Sequence, residues 1–179
     1  AKVFGCYGDG GALFSNCDDI ANKMRAIRNH GGIKRGYHDL VGMNGRFDTI
    51  QAAVLLAKFP YFLDEVEARA KIGARYSELL KEVCRIPKIA SGNTHVYAQY
   101  TIRLKDRDKV ITKLKDHGVP TAIYYSKCLH EQPAFASEEL QLGDFPVSEM
   151  VSGEVLSLPM HPFLNDEDQD SIVNAIRSV

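Results

Sequence analysis

From Asp48 to Val83 the sequence reads as helix with a single break, and that stretch organises everything around it. Its first part, "DTIQAAVLLAKF" (48–59), is apolar on nearly every side except at Gln51 and Lys58, the pattern of a helix buried all round. Pro60 interrupts or restarts the helix, because proline has no N–H to donate to the preceding turn. The second part, "YFLDEVEARAKIGARYSELLKEV" (61–83), carries one apolar stripe: Phe62, Val66, Ile72, Tyr76, Leu79 and Val83. Arg69 falls within the stripe and weakens it, though its stem can still cover apolar surface.

The flanking regions differ in pattern, so the chain is expected to divide around this helix. Upstream, "GALFSN" (11–16) predicts a short strand after a turn set by Gly-Asp-Gly. Asp18 and Asp19 open a helix with Ile20, Met24 and Ile27 on one face, and "HGG" ends it. Residues 33–47 are polar, glycine-bearing and aperiodic, a long loop of the kind that usually has a function. Downstream of Pro87, "HVYAQYTIRL" (95–104) alternates like a strand and "DRDKVITKLKDHG" (106–118) reads as a capped helix. "TAIYY" (121–125) predicts a short strand, residues 126–145 a second long loop, and "PVSEMVSGEVL" (146–156) a helix. "SLPM" then leads to a final helix over 166–179, capped by Asn165. The element order predicts an α/β fold: residues 1–60 as the edge of one unit, 61–87 as a linking helix and 88–179 as a compact unit of β-α-β type.

Bulk properties exclude several classes. With 45% hydrophobic and 25% charged residues the chain is of ordinary globular composition. A formal net charge of −1 gives no footing for nucleic acid. The longest apolar stretch, "AAVLLAKF", is too short to span a bilayer and contains Lys58, so no membrane partner is expected, and no secretory leader. Cys6, Cys17, Cys84 and Cys128 are scattered without a C-x-x-C pair, which favours reduced thiols in a cytoplasmic protein. The six histidines lack metal-ligand spacing, so no metal is expected. The chain opens without Met inside what reads as a structured element, so it is expected to be a fragment of something longer.

Residues with chemistry to offer gather in three places. "GCYGDGG" (5–11), just after Lys2, fits neither a dinucleotide fingerprint nor a Walker loop, and on pattern alone it is a turn with close backbone packing. Asn44 and Arg46 present the fixed donors that suit a phosphate or carboxylate; the plainer alternative puts Asn44 in a turn and pairs Arg46 with Asp48. Tyr124 and Tyr125 flank a loop bearing Lys127, His130 and Gln132; the tyrosines could stack on a ring, while His130 is more often an ordinary loop histidine.

Four segments together carry a resemblance. "KVFGCYGDGGA" resembles the K-x-L-G-x-Y-G-D-G-G segment of the DegT/StrS sugar-nucleotide aminotransferases, and "GMNGRFDTIQAAVL" resembles their G-x-N-x-R-x-D-x-x-Q-A-A segment. "AIYYSKCLHEQPAF" resembles their I-H-Y-P-x-P-L-H-x-Q-P-A loop, and "GDFPVSE" with "VLSLPMHP" resembles their closing motifs. The resemblance covers essentially the whole chain, in the family's order. It implies the end of the large domain of a fold-type-I, pyridoxal-phosphate-dependent aminotransferase, followed by the small C-terminal α/β domain.

It further implies roles. Lys2 would form the Schiff base with pyridoxal 5'-phosphate and shuttle the proton between carbons. Asn44 would reach the cofactor phosphate of the neighbouring subunit in a homodimer with shared active sites. Arg46, Tyr124, Tyr125 and His130 would contact substrate. The reaction implied moves an amino group, from glutamate, to a keto group of a nucleotide-linked sugar, for surface polysaccharide, glycan or antibiotic-sugar synthesis. The family's cofactor-binding upstream half is absent from this sequence, so these 179 residues alone are expected neither to hold the cofactor tightly nor to catalyse. Tyr124, Ser126 and Cys128 stand where the family pattern has histidine and two prolines, and the sugar is left unassigned. Two alternatives stay open. One is a dehydratase on the same scaffold, which would carry histidine where this chain has Lys2. The other is a non-enzymatic regulator or interaction module that keeps the fold.

Overall fold

The computed structural model describes residues 2–135 and 140–178. Four positions of the second long loop, 136–139, and the final residue of the last expected helix lie outside the described residues. The chain divides into two compact units, residues 1–63 and 64–179.

The first unit contains helix α1 (Asp18–Arg28), helix α2 (Thr49–Lys58) and a 3-10 turn over Phe59–Tyr61. Asp18 and Asp19 lie in the first turn of α1, and Arg25 and Arg28 in its last, the distribution that the helix dipole favours. The expected stop occurs in place, with His30 at φ 60° and Gly31 at φ 84° turning the chain. Two expectations fail. Residues 11–16 form no strand: no neighbouring segment pairs with them among the described residues, and Phe14 is left 90% exposed. Helix α2 is not buried, because the described unit lays no second layer on it; no residue of α2 is buried, and Ile50 is 79% exposed.

The second unit holds the core. Its elements are the body of α3 (Phe62–Leu80), β1 (Tyr100–Arg103), α4 (Arg107–Asp116), α5 (Pro146–Glu154), β2 (Val155–Leu158) and α6 (Asp166–Arg177). Strands β1 and β2 pair antiparallel with Tyr100 opposite Leu158 and Arg103 opposite Val155. Alternation along β1 sends Tyr100 and Ile102 into the core, while Thr101 on the other face bonds the Ser157 hydroxyl at 2.7 Å. Tyr76 and Leu80 of α3, Leu114 of α4, Leu156 of β2 and Val173 of α6 fill the same core. Each such side chain is worth about 1.5–3 kcal/mol of transfer free energy.

The α/β class is as the sequence implied, and several boundaries move. The strand expected over 95–104 forms only at Tyr100–Arg103. Tyr97 has φ 43°, outside the extended region, and donates its N–H to His95 Nδ1 at 2.8 Å, so the chain bends before the ladder begins. "TAIYY" reduces to one bridge, Ala122 with Ser157. The helix expected over 146–156 ends at Glu154, because Val155 turns extended and pairs with Arg103. Asn165 caps α6 as expected, its side-chain oxygen accepting from Asp168 N at 2.7 Å. Among the described residues no helix is long and apolar enough to cross a membrane.

The α3 stripe also shifts. Ile72, Gly73, Tyr76 and Leu80 are its buried positions. Gly73 is there because the Tyr97 ring lies where a Cβ would go. Gly73→Ala is therefore expected to destabilise by about 1–3 kcal/mol and Leu114→Ala by about 2–5 kcal/mol, read from urea unfolding midpoints at unchanged m. Burial pushes the Cys84 thiol up to about 11, whereas Cys17 is exposed. Iodoacetamide at pH 8 should modify Cys17 and spare Cys84 in the native protein, and equal labelling of the two would contradict the packing described.

Candidate functional site

Lys2 is exposed and leads into a segment that α2 holds in place. The Phe4 ring packs against Phe59 at 6.0 Å and Phe62 at 4.8 Å between centroids. Lys58 Nζ donates to Gly5 O at 2.6 Å, and Gln51 Oε1 accepts from Tyr7 N at 2.8 Å. Gln51 and Lys58 are the two polar breaks in the apolar pattern of α2. They lie two turns apart on one face, so one helix side grips the chain behind Lys2 at two points. A Cβ on Gly10 would lie 2.6 Å from Phe47 Cε2, so a larger residue there would push the segment off its support. Close packing explains the glycine at position 10 and less tightly at position 8, while a Cβ on Gly11 would meet nothing within 4 Å.

Asn44 and Arg46 are placed by the long loop of the first unit, which folds back on the end of α1. His30 N donates to Met43 O at 3.0 Å, Met43 N to Ile27 O at 2.8 Å and Gly45 N to Arg28 O at 2.9 Å. Asn44 lies in a single antiparallel bridge with Asn29, not in a turn. Both Asn44 and Arg46 are exposed, and Arg46 Nε donates to Asn44 Oδ1 at 3.1 Å. Among the described residues no ion pair joins Arg46 to Asp48. The Arg46–Asn44 bond uses the Asn44 oxygen and the Arg46 Nε, and the remaining amide and guanidinium NH2 groups are donors of the kind that bind an anionic oxygen.

In the second unit, Tyr124, Tyr125, Lys127 and His130 line one cavity of about 770 Å³. Its walls are mostly apolar, with Ile123, Phe135, Phe145 and Val151, while Gln99, Thr101 and Ser157 supply polar atoms. Tyr124 is 55% and Tyr125 73% exposed, so neither ring is enclosed by the protein. His130 differs: its side chain is only 6% exposed and its Nε2 meets Glu149 Oε1 at 2.9 Å. The sequence brings Asn44 and Arg46 together in one unit, and the two tyrosines and His130 in the other.

Glu149, Gln51 and Lys58 are the polar residues to which sequence reasoning gave no role. The Glu149 carboxylate accepts from Gly143 N at 2.9 and 3.0 Å, from Phe145 N at 3.3 Å and pairs with His130. The Gly143 N–H is the main reason its carboxyl sits below the usual range; partial burial opposes the shift, and the Phe145 N–H and His130 add to it. A signal was available: Glu149 closes the "GDFPVSE" segment, three residues inside a helix begun by Pro146, where a carboxylate can reach back over free N–H groups. Gln51 and Lys58 had their own signal as the polar exceptions in an apolar helix.

The chain resembles known proteins along nearly its whole length. The profile of the DegT/DnrJ/EryC1/StrS aminotransferase family matches residues 1–177. The chain is 46% identical over 166 residues to the UDP-2-acetamido-2-deoxy-3-oxo-D-glucuronate aminotransferase of Pseudomonas aeruginosa, covering 92% of this chain and 45% of that protein. It is 43% identical to the pleiotropic regulatory protein of Geobacillus stearothermophilus, covering 98% of this chain and 48% of that one. The crystal structure of S. venezuelae DesV in complex with a ketimine intermediate superposes with a TM-score of 0.94 at 30% identity, over 98% of this chain and 48% of that one. The chain thus spans about half the length of the curated relatives it matches. Because the family match runs through both units and not through one alone, the chain belongs to the DegT/DnrJ/EryC1/StrS aminotransferase family.

Proposed function

We propose that the protein containing this chain is a pyridoxal-phosphate-dependent aminotransferase that moves an amino group, from glutamate, to a keto group of a nucleotide-linked sugar. The observation that carries the reading is a lysine at an exposed position on a segment that α2 grips through Gln51 and Lys58. Family membership and 46% identity to a sugar-nucleotide aminotransferase support it. The residues fit the cofactor's chemistry as far as this chain supplies them. Lys2 offers an amine for an aldehyde, and the Asn44–Arg46 pair offers amide and guanidinium donors for anionic oxygens.

In this reading Lys2 holds the cofactor through Nζ, and the bound cofactor supplies the electron sink that lets a C–H bond beside nitrogen ionise. Once the amino donor has displaced it from the cofactor, the free Lys2 amine would take that proton and return it. Asn44 binds the cofactor phosphate across a homodimer interface, and Arg46 meets an anionic group of the substrate. Tyr124 and Tyr125 stack on the nucleotide-linked sugar, with His130 beside them. Residues 1–60 complete the large cofactor domain, residues 61–87 link, and residues 88–179 form the small domain. Exposed apolar side chains such as Phe14, Val41 and Ile50 leave the first unit a face for the rest of a protein about twice this length or for a second subunit. Scattered free cysteines support a cytoplasmic setting. Lysine in place of histidine at position 2 disfavours the dehydratase.

A regulatory role is the second reading, favoured by the 43% identity to a protein named as a pleiotropic regulator. One experiment separates the two. Borohydride reduction of the full-length protein as purified, followed by digestion and mass spectrometry, should find a pyridoxyl group on Lys2. Lys2→Ala should abolish that adduct and lower amino-transfer turnover by roughly 10²–10⁴-fold. An unmodified Lys2, even after added cofactor, would select the regulator.

A further inference from the structure

The segment bearing the cavity's two tyrosines is held only at its ends. Ala122 and Ser157 exchange backbone hydrogen bonds of 3.1 and 2.8 Å, which fixes the near end to β2. Residues 123–127 then take part in no backbone–backbone hydrogen bond among the described residues. The next fixed point is the 3-10 turn Leu129–Glu131, where Glu131 Oε2 accepts from Cys128 N at 2.8 Å. That turn is tied to the rest of the unit through His130, whose Nε2 lies 2.9 Å from Glu149 Oε1 and whose ring packs on Phe145 at 4.8 Å.

The same carboxylate takes the N–H of Gly143 and Phe145 at the other end of the long loop. Three pieces of chain therefore meet on one side chain: the 3-10 turn, the bend at 143–145 and α5. Glu149 does not line the cavity, although Ser148, Val151 and Ser152 around it do. It can act on a ligand there only through the residues it holds. Removing it would leave two backbone N–H groups and a buried imidazole without their acceptor, and the far end of the 123–130 segment without its anchor.

We propose that Glu149 is a positioning residue for substrate binding: through His130 it fixes the wall that carries Tyr124, Tyr125 and Lys127, and so sets affinity for the nucleotide-linked sugar. The inference rests on the aminotransferase reading above. It assigns His130 a share in the same task, since the Nε2 that could have met substrate is already paired with Glu149.

The test uses the full-length protein with pyridoxal phosphate bound, as wild type, Glu149→Gln, His130→Ala and the double variant. Three properties are read: the change in cofactor absorbance on adding L-glutamate, KM and kcat for a panel of UDP- and dTDP-linked keto sugars, and amide hydrogen exchange. Glu149→Gln is expected to raise KM for the sugar about tenfold with kcat within about threefold, and to leave the glutamate half-reaction unchanged within about twofold. Exchange should quicken at residues 128–132 and 141–145 and stay as it was in β1, β2 and α6. His130→Ala should raise KM for the sugar in the same direction, and the double variant should fall short of the sum of the two, because the His130–Glu149 pair is common to both. An unchanged KM in a variant whose loop exchanges faster would overturn the proposal. So would loss of the glutamate half-reaction, additive effects in the double variant, or faster exchange throughout the core. A wild type that glutamate converts but that aminates none of the sugars ends the nucleotide-sugar part of the aminotransferase reading and this inference with it; a working wild type with an indistinguishable Glu149→Gln ends the inference alone.

Discussion

The buried side of α3 is the constraint on which the second unit depends. Tyr76 and Leu80 are fully buried, and their helix is also the unit's main polar anchor. The Tyr76 hydroxyl donates to Pro159 O at 3.2 Å, Arg69 Nη1 to Tyr97 O at 3.1 Å and to Met160 O at 3.3 Å, and Gln169 of α6 to Ile72 O at 3.0 Å. Each bond ties α3 to a segment distant in sequence. Burial of Tyr76 pushes its hydroxyl well above the ordinary range, so the ring remains a neutral donor at any physiological pH. Arg69, which on the sequence looked like a flaw in the apolar stripe, holds the two backbone carbonyls where the chain approaches and leaves the sheet. Its charge is useful there because a carbonyl turned away from the ladder needs a donor.

What could be read from the sequence follows what is local. Helix starts at Asp18, Thr49 and Asp166, the stop at His30–Gly31 and the cap at Asn165 depend on residues within a turn of each other, and they are visible as written. Strands depend on partners. "HVYAQYTIRL" has the right alternation over its whole length, but only four of its residues find β2, because Tyr97 adopts a left-handed backbone and packs its ring over Gly73. "PVSEMVSGEVL" could not announce the switch at Val155, since its helical spacing persists into residues that the sheet claims. Among the site residues, the motif positions were legible and their physical duties were not. Asn44 and Arg46 stood out as donors, yet their mutual hydrogen bond depends on a loop that folds back onto α1.

The two units meet opposite demands. In the second, apolar periodicity is matched by burial. In the first, α2 is almost wholly apolar yet has no fully buried residue, while the two polar side chains within its apolar run, Gln51 and Lys58, are both engaged on the segment behind Lys2. Here both orient a backbone, Gln51 through Tyr7 N and Lys58 through Gly5 O. The apolar faces that remain lie open in a chain that spans about half the length of the relatives it matches.

The cavity of the second unit is built on a different principle. A strand continuing through residues 123–127 would have fixed Tyr124 and Tyr125 by ladder bonds, and any change there would have disturbed the sheet. The ladder instead stops at Ala122 and resumes its hold on the chain only at the 3-10 turn. Side chains between those points can change without breaking a backbone hydrogen bond, which is the freedom a pocket needs if related proteins are to take different ligands. That freedom has a cost here. No proline stands between Pro120 and Pro133, so this segment lacks a residue that would narrow its backbone by itself. Its ordering falls more heavily on Ala122 at one end and on the His130–Glu149 pair at the other. A carboxylate held by two backbone N–H groups as well as an imidazole is a stiffer post than a lone ion pair, because bending it breaks several bonds together.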